Sequence, residues 1–209
     1  MNLRKLIKSV VFTICLVPAA LLIWRAYNDD LGANPIEAVI RNLGDWGLRF
    51  LLLDLAITPA RQLFGLSQLA SYRRMIGLFS FAYISLHLSA YIGLDQFFAW
   101  DAIWRDIVKR PYITFGMAAW GALLPLAITS TNAMAKRLGA KRWRALHRLI
   151  YAAGIAGVVH YLLLVKADIR DPIVYIAILI VLLAIRVIFA LRLRWRRLRP
   201  SRSLEPSQT

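Results

Sequence analysis

The chain has 209 residues, 59% of them hydrophobic, and a formal net charge of +16. A soluble basic protein spreads its cations along the chain, whereas here long uncharged runs alternate with short basic ones, which sets aside a nucleic-acid partner in favour of a membrane protein with positive loops on one side. The single cysteine, Cys15, excludes an internal disulfide, a CxxC redox pair and a cysteine-ligated metal or iron–sulfur site, and reads as plain packing.

A spanning helix needs about 20 largely apolar residues, and six stretches meet or approach that length. The first is Leu6–Trp24, where Arg4, Lys5 and Lys8 followed by the apolar run Ser9–Trp24 resemble a signal peptide. Its apolar run is long for such a segment and no small-x-small cleavage site follows, so a retained helix is expected. The second, Gly47–Leu63, is interrupted by Arg49 and Asp54 but strongly apolar around them. The third and fourth, Met75–Leu94 and Pro111–Met134, are almost free of charge, and Ala145–Val165 and Pro172–Leu191 complete the set. The expected fold is all-α: an integral membrane bundle of six transmembrane helices over residues 1–192, then a basic cytoplasmic tail, 193–209, expected to be flexible. No large internal repeat, G-x-G-x-x-G, P-loop or strand pattern is visible, so no nicotinamide-binding domain is expected.

Orientation follows from the Lys and Arg content of each connection. The segment after the first span carries Asp29, Asp30, Glu37 and Asp45; the next carries Arg61, Arg73 and Arg74. The third connection is mixed, the fourth holds Lys136, Arg137, Lys141, Arg142 and Arg144, and the tail is rich in Arg. Basic segments alternate with neutral or acidic ones, which places both termini in the cytoplasm. Trp24, Trp46, Trp100, Trp104 and Trp143 sit near span ends as interfacial anchors, and Arg186 is expected to snorkel toward the cytoplasm. Asp54, the one acid at membrane depth, has two readings: a proton relay, or a structural group, protonated or paired with Arg49 or Arg61.

The three histidines carry the chemistry. Ionisable or metal-ligating residues at membrane depth are functional candidates by default, although a lone one is as readily a satisfied polar group between helices. The third and fifth spans both start at a basic loop and run parallel. His160 lies 13 residues beyond His147, and His87 lies 14 beyond Arg73, rises of about 20 Å at 1.5 Å per residue. His87 and His160 therefore share an outer level, and Arg73 and His147 share one near the cytoplasmic face. Two neutral imidazoles from neighbouring helices are what a low-spin haem b iron takes axially, and without cysteine or an acid cluster other redox metals compete poorly. Gly154, Gly157, Ala152, Ala153, Ala156, Gly77 and Ser80 leave room for a planar ligand, or else serve close helix packing. On an ideal helix His147 and His160 stand roughly 140° apart, so a bend at Gly154 or Gly157, or separate pockets, is required.

These residues, in this order, resemble the MsrQ family, haem-binding subunits of protein-methionine-sulfoxide reductase systems within the ferric-reductase-like transmembrane superfamily. The matching stretches are Leu-Gly-Ala-Asn-Pro at 31–35, Thr-Pro at 58–59, Arg-Arg-Met-Ile-Gly-Leu at 73–78, Leu-His-Leu at 86–88, Arg-Pro-Tyr at 110–112 and Thr-Ser-Thr at 129–131, with Trp143, Leu146, His147 and His160-Tyr161. The resemblance covers nearly all the chain except the tail. It implies haem b on His87 and His160, with His147 and Arg73 lining a cytoplasmic-side pocket. The superfamily's usual second bis-histidine haem is put in question because Arg73 stands at the position of the inner histidine. It also implies FMN, for which that pocket is one place; Arg73 and Arg74 equally suit haem propionates or plain positive-inside anchoring.

The implied role is electron relay in the bacterial inner membrane, from the quinone pool or a cytosolic flavin reductase to a periplasmic molybdopterin-containing subunit that reduces methionine sulfoxide in oxidised proteins. The acidic first connection and Asp101–Asp106 are candidate docking surfaces. Rival readings are a b-type cytochrome or metal-ion reductase of the same superfamily with another acceptor, a haem-free scaffold, or a transporter using Pro125 and the Thr129–Asn132 cluster.

Overall fold

The computed structural model describes residues 3–165 and 167–198, so the end of the basic tail, 199–209, lies outside the described residues. Every regular element among them is helical: α1 (Leu3–Tyr27), α2 (Pro35–Phe64), α3 (Ala70–Ala90), α4 (Trp100–Lys109), α5 (Pro111–Ile128), α6 (Asn132–Leu146), α7 (Leu149–Leu164) and α8 (Arg170–Leu198). Local chemistry sets several ends. Asn34 caps α2 by accepting from the Glu37 N–H at 3.2 Å while its amide donates to the Glu37 carboxylate at 3.0 Å, and Pro35 opens the helix where a missing N–H is harmless. Gly65, at φ 68°, closes α2 with its N–H on the Arg61 carbonyl, a left-handed cap that a β-carbon would strain. Pro111 opens α5, and the Thr131 hydroxyl accepts from the Met134 N–H to start α6.

Two apolar cores result. Leu51 and Leu55 of α2 and Ala153 of α7 are fully buried, packed with Leu123 and Leu126 of α5, Val158 of α7 and Leu179 of α8. The second core joins α1, α2 and α3 through Cys15, Phe50, Phe79 and Tyr83. Cys15 is indeed a free, buried packing residue. The Tyr83 hydroxyl donates to the Cys15 carbonyl at 2.8 Å and accepts from the Ala19 N–H at 3.0 Å. It is thus wedged into the backbone ladder of α1 beside Pro18, where that ladder is already interrupted.

The outer surface is apolar in the way lipid demands. Ile14, Leu21 and Ile23 of α1 and Ile180, Val181 and Val187 of α8 all face outward and exposed, an arrangement water would penalise and a bilayer favours. Four stretches are each long and apolar enough to cross alone: Lys5–Tyr27, Ser67–Asp95, Pro111–Ile128 and Arg170–Trp195. The pair α6–α7, bent by 43° at its join, makes a fifth if it counts as one span. The chain is therefore a multi-pass membrane protein.

Several boundaries differ from expectation: α2 begins at Pro35 rather than Gly47, behind the Asn34 cap, α3 begins at Ala70 rather than Met75, and α8 runs to Leu198, into the stretch expected as a flexible tail. The fourth span stops at Ile128, because Pro125 and Thr129 end α5 before the expected Met134. The fifth starts at Leu149, because the chain turns at His147–Arg148. A short amphipathic helix, α4, occupies the connection before α5, with Ile103 buried and Trp100, Trp104 and Val108 exposed; its alternation was too brief to be read as an element. Among the small residues of the third and fifth spans, Gly154 and Ser80 serve close packing. A β-carbon on Gly154 would sit 3.1 Å from Leu55 Cδ1, and the Ser80 hydroxyl donates to the Gly47 carbonyl at 2.9 Å.

Leu55, fully buried where α2, α7 and α8 meet, tests this packing. Leu55→Ala should destabilise the purified protein by about 2–5 kcal/mol, read as a lower midpoint in thermal or denaturant unfolding in detergent.

Candidate functional site

His87 lies near the C-terminal end of α3 and His160 near that of α7, both half-buried. Their ring centroids are 6.1 Å apart, with the planes crossed at 78°. Each ring is tied through Nδ1 to a backbone carbonyl of the helix packed beside it: His87 to Ile40 of α2 at 2.8 Å, and His160 to Tyr112 of α5 at 2.6 Å. A carbonyl only accepts, so each Nδ1 carries the proton and each Nε2 keeps its lone pair. Metal-ligating histidines are held in this way by their other nitrogen. With imidazole nitrogens about 2 Å from a first-row metal and about 1 Å from their own ring centres, an axial pair should have centroids about 6 Å apart. The observed spacing fits the expected haem b pair. Among the described residues, no three His, Cys, Asp or Glu side chains converge as a competing metal site.

The two halves of this arrangement repeat each other. The ring of His87 rests on Gly44, four residues after Ile40, and that of His160 on Gly116, four residues after Tyr112. The likeness continues along both hairpins. Leu52-Leu53-Asp54-Leu55-Ala56-Ile57-Thr58 answers Leu123-Leu124-Pro125-Leu126-Ala127-Ile128-Thr129, and Arg73-Arg74-Met75-Ile76 answers His147-Arg148-Leu149-Ile150. Each pair is separated by 71 to 74 residues. The chain thus holds an internal repeat where none was expected. The signal is confined to a few short stretches, and the positions between them need only be apolar. Trp120 of α5 joins the halves, donating to Ser85 of α3 at 3.1 Å and stacking on Phe81.

The opposite end of the bundle is polar. Arg73 faces the buried carboxylate of Asp54, Nε to Oδ1 3.4 Å. Neither expected partner, Arg49 nor Arg61, holds that acid. Arg49 donates instead to the Tyr175 hydroxyl at 2.9 Å and lies over the Trp46 ring. Arg186 does not snorkel: its guanidinium turns inward to the Tyr151 hydroxyl at 2.8 Å and the Leu55 carbonyl at 2.5 Å. A half-buried arginine on the most apolar helix is held more strongly by those acceptors than by a route to water through lipid.

His147 sits at the hinge between α6 and α7. Its ring stacks on Trp143, centroids 3.9 Å apart, and its Nε2 meets the Thr129 hydroxyl at 3.1 Å. Because that hydroxyl donates to the Pro125 carbonyl at 2.6 Å, it accepts from His147, whose free nitrogen is Nδ1. The chain bends by 43° at this hinge rather than at Gly154 or Gly157, which lie inside α7, and of the two expected alternatives His147 and His160 take separate surroundings. The Thr129–Asn132 cluster is consumed locally, by that bond, by the α6 cap and by Arg74 donating to Asn132 at 2.8 Å, which removes its support for a transport path. Thus His87 and His160 come together as expected, while Arg73 and His147 each have a separate protein partner. The residues missed were Gly44 and Gly116, which nothing in the sequence sets apart from the other glycines until the helices are packed.

Residues 43–158 match the family described as "Ferric reductase like transmembrane component", a segment that ends two residues before His160. Similar proteins extend over most of the chain. One from Rhodospirillum rubrum is 57% identical over 90% of both chains, one from Caulobacter vibrioides 52% over 87% of both, and one from Azospira oryzae 49% over 96% of this chain and 86% of its own. All three are named protein-methionine-sulfoxide reductase heme-binding subunit MsrQ.

The Asp54–Arg73 contact is open to a double-mutant cycle on thermal stability. Asp54→Asn and Arg73→Gln should each destabilise, and the double variant should fall short of their sum by more than about 0.5 kcal/mol. Strict additivity, with coupling to Arg49 or Arg61 instead, would contradict the observed pairing.

Proposed function

This chain belongs to the MsrQ family of ferric-reductase-like transmembrane components, and we propose that it is the haem b-bearing electron-relay subunit of a methionine sulfoxide reductase system. The observation that carries this reading is the His87–His160 pair, two crossed imidazoles at axial spacing with both Nδ1 protons already engaged. Haem b held there by His87 and His160 would supply one-electron chemistry. The chain's own residues do the rest. His87 and His160 offer Nε2, the Ile40 and Tyr112 carbonyls fix tautomer and ring orientation, and the surrounding helices limit water. A subunit of this kind carries electrons, and a separate partner transforms methionine.

The same reading assigns six crossings, with α2 as the one that hydropathy undercounts. Its buried acid at depth, Asp54, is answered inside the protein by Arg73, while Arg49, on the exposed face of α2, is held by the Tyr175 hydroxyl. Both termini are then cytoplasmic, the membrane is the bacterial inner membrane, and the His87–His160 end faces the periplasm. Electrons enter from the quinone pool or a cytosolic flavin reductase. They leave to a periplasmic molybdopterin-containing catalytic subunit that reduces methionine sulfoxide in oxidised proteins. Arg73 and His147 line the entry side. FMN, implied by the family resemblance, belongs to that side too. A cleft along α6, walled by Lys136, Gly139, Trp143 and Arg144, offers an aromatic face and two cations to a flat ring bearing a phosphate.

The deciding experiment is the absorption spectrum of the detergent-purified protein, oxidised and dithionite-reduced, with haem quantified as its pyridine complex. A low-spin b-type spectrum is expected. His87→Ala and His160→Ala should each lower haem per protein about tenfold or more, while His147→Ala should retain at least one haem. Full haem content in both outer variants, or a colourless wild type from haem-sufficient cells, would sink the proposal.

A further inference from the structure

The two glycines beneath the histidine rings differ from the others in what they touch. A β-carbon on Gly44 would meet His87 Nδ1 at 3.0 Å, Cε1 at 3.1 Å and Cγ at 3.6 Å; one on Gly116 would meet His160 Nδ1 at 2.9 Å, Cε1 at 3.1 Å and Cγ at 3.4 Å. In both cases the three nearest atoms all belong to the imidazole. At Gly47 and Gly154, by contrast, the nearest atoms belong to packing residues, Ile84 in one case and Leu55 with Leu179 in the other, and at Gly121 nothing lies within 4 Å.

We propose that Gly44 and Gly116 are positioning residues for the His87 and His160 imidazoles. Each omits a β-carbon so that the Nδ1 edge of the ring can close on a neighbouring helix and donate Nδ1–H to the carbonyl one turn earlier. A helical carbonyl already accepts one backbone hydrogen bond and has a second lone pair, but a side chain reaches it only where the residue four positions on leaves space. With any larger residue the ring lifts away, the Nδ1 bond lengthens, and Nε2 changes direction. Because the device is built twice, on α2 for α3 and on α5 for α7, it sets the two ligands symmetrically and decides the angle at which their planes cross. This assignment rests on the haem reading above for its consequence, though not for the contact itself.

Gly44→Ala and Gly116→Ala, made in the full chain and purified as the wild type, should each weaken haem retention about 10- to 100-fold. The haem that remains should show a shifted midpoint potential and an altered low-spin ferric resonance spectrum, which reports the angle between the imidazole planes. Gly121→Ala, on the same helix as Gly116 but facing open space, should leave all three readouts unchanged. Gly47→Ala should lower thermal stability without changing the potential or resonance of the bound haem.

A crossover separates the ring contact from general damage. In a His87→Ala background Gly44→Ala should be neutral or slightly stabilising, as alanine for glycine in a helix ordinarily is. In a His160→Ala background, where the haem pair is equally broken but the His87 ring remains, it should lower the thermal midpoint. Gly116→Ala should behave in the reverse manner. Unchanged potential and resonance in both glycine variants, or equal stability effects in the two backgrounds, would overturn the proposal. A colourless wild type would overturn the haem reading alone, since the crossover would still decide whether the glycines seat the rings.

Discussion

Two hydrogen bonds from imidazole Nδ1 to helical carbonyls, His87 to Ile40 and His160 to Tyr112, hold the arrangement on which the rest of the molecule depends. Each bond needs two helices close enough for a ring to reach the neighbouring backbone, and therefore sets the spacing of α2 against α3 and of α5 against α7. Each also settles the tautomer, which leaves the other nitrogen as a donor to metal. Once both hairpins are fixed in this way, the facing of α3 and α7 brings the two rings to 6.1 Å. Gly44 and Gly116, by providing the clearance, connect a feature of backbone packing directly to the chemistry at the centre.

The opposite end of the bundle solves a different problem, the presence of charge at membrane depth. Asp54, Arg73 and Arg186 each find an answering group on another helix. Breaking such a contact leaves a polar group without water to turn to, so these contacts constrain how the helices rotate about their axes. Where the second hairpin has His147, the first has Arg73, and where the second has Pro125, the first has Asp54. The repeat has thus diverged at this level while keeping its outer level intact. His87 and His160 are the residues that the geometry brings together, and Arg73 and His147 are engaged by separate protein partners.

Much of this was legible in the chain itself. The apolar runs announced the helices, the alternation of basic connections implied an orientation, and the rise per residue put His87 and His160 at one level. Other features depended on which faces meet. Asp54 has several arginines within reach along the sequence, and only the packing of α3 against α2 selects Arg73. The hinge at His147 is carried by Thr129, 18 residues earlier, and the small residues near the fifth span were equally consistent with a ligand cavity and with the packing observed. The short α4 helix and the repeat left too little periodic signal to separate from their surroundings.

The division has a physical basis. Hydropathy, charge and helical rise belong to residues in their own local order, so membrane class, the approximate course of the long apolar helices and the shared height of the two histidines were determined by the sequence alone. Rotation of each helix about its axis is a different matter, because an apolar helix in lipid has many faces of nearly equal transfer energy. Only a few close approaches and buried polar contacts break that degeneracy, and they act between residues far apart in the chain. Tertiary structure therefore decided the partner of Asp54, the inward turn of Arg186, the glycine seats and the final meeting of the two imidazoles.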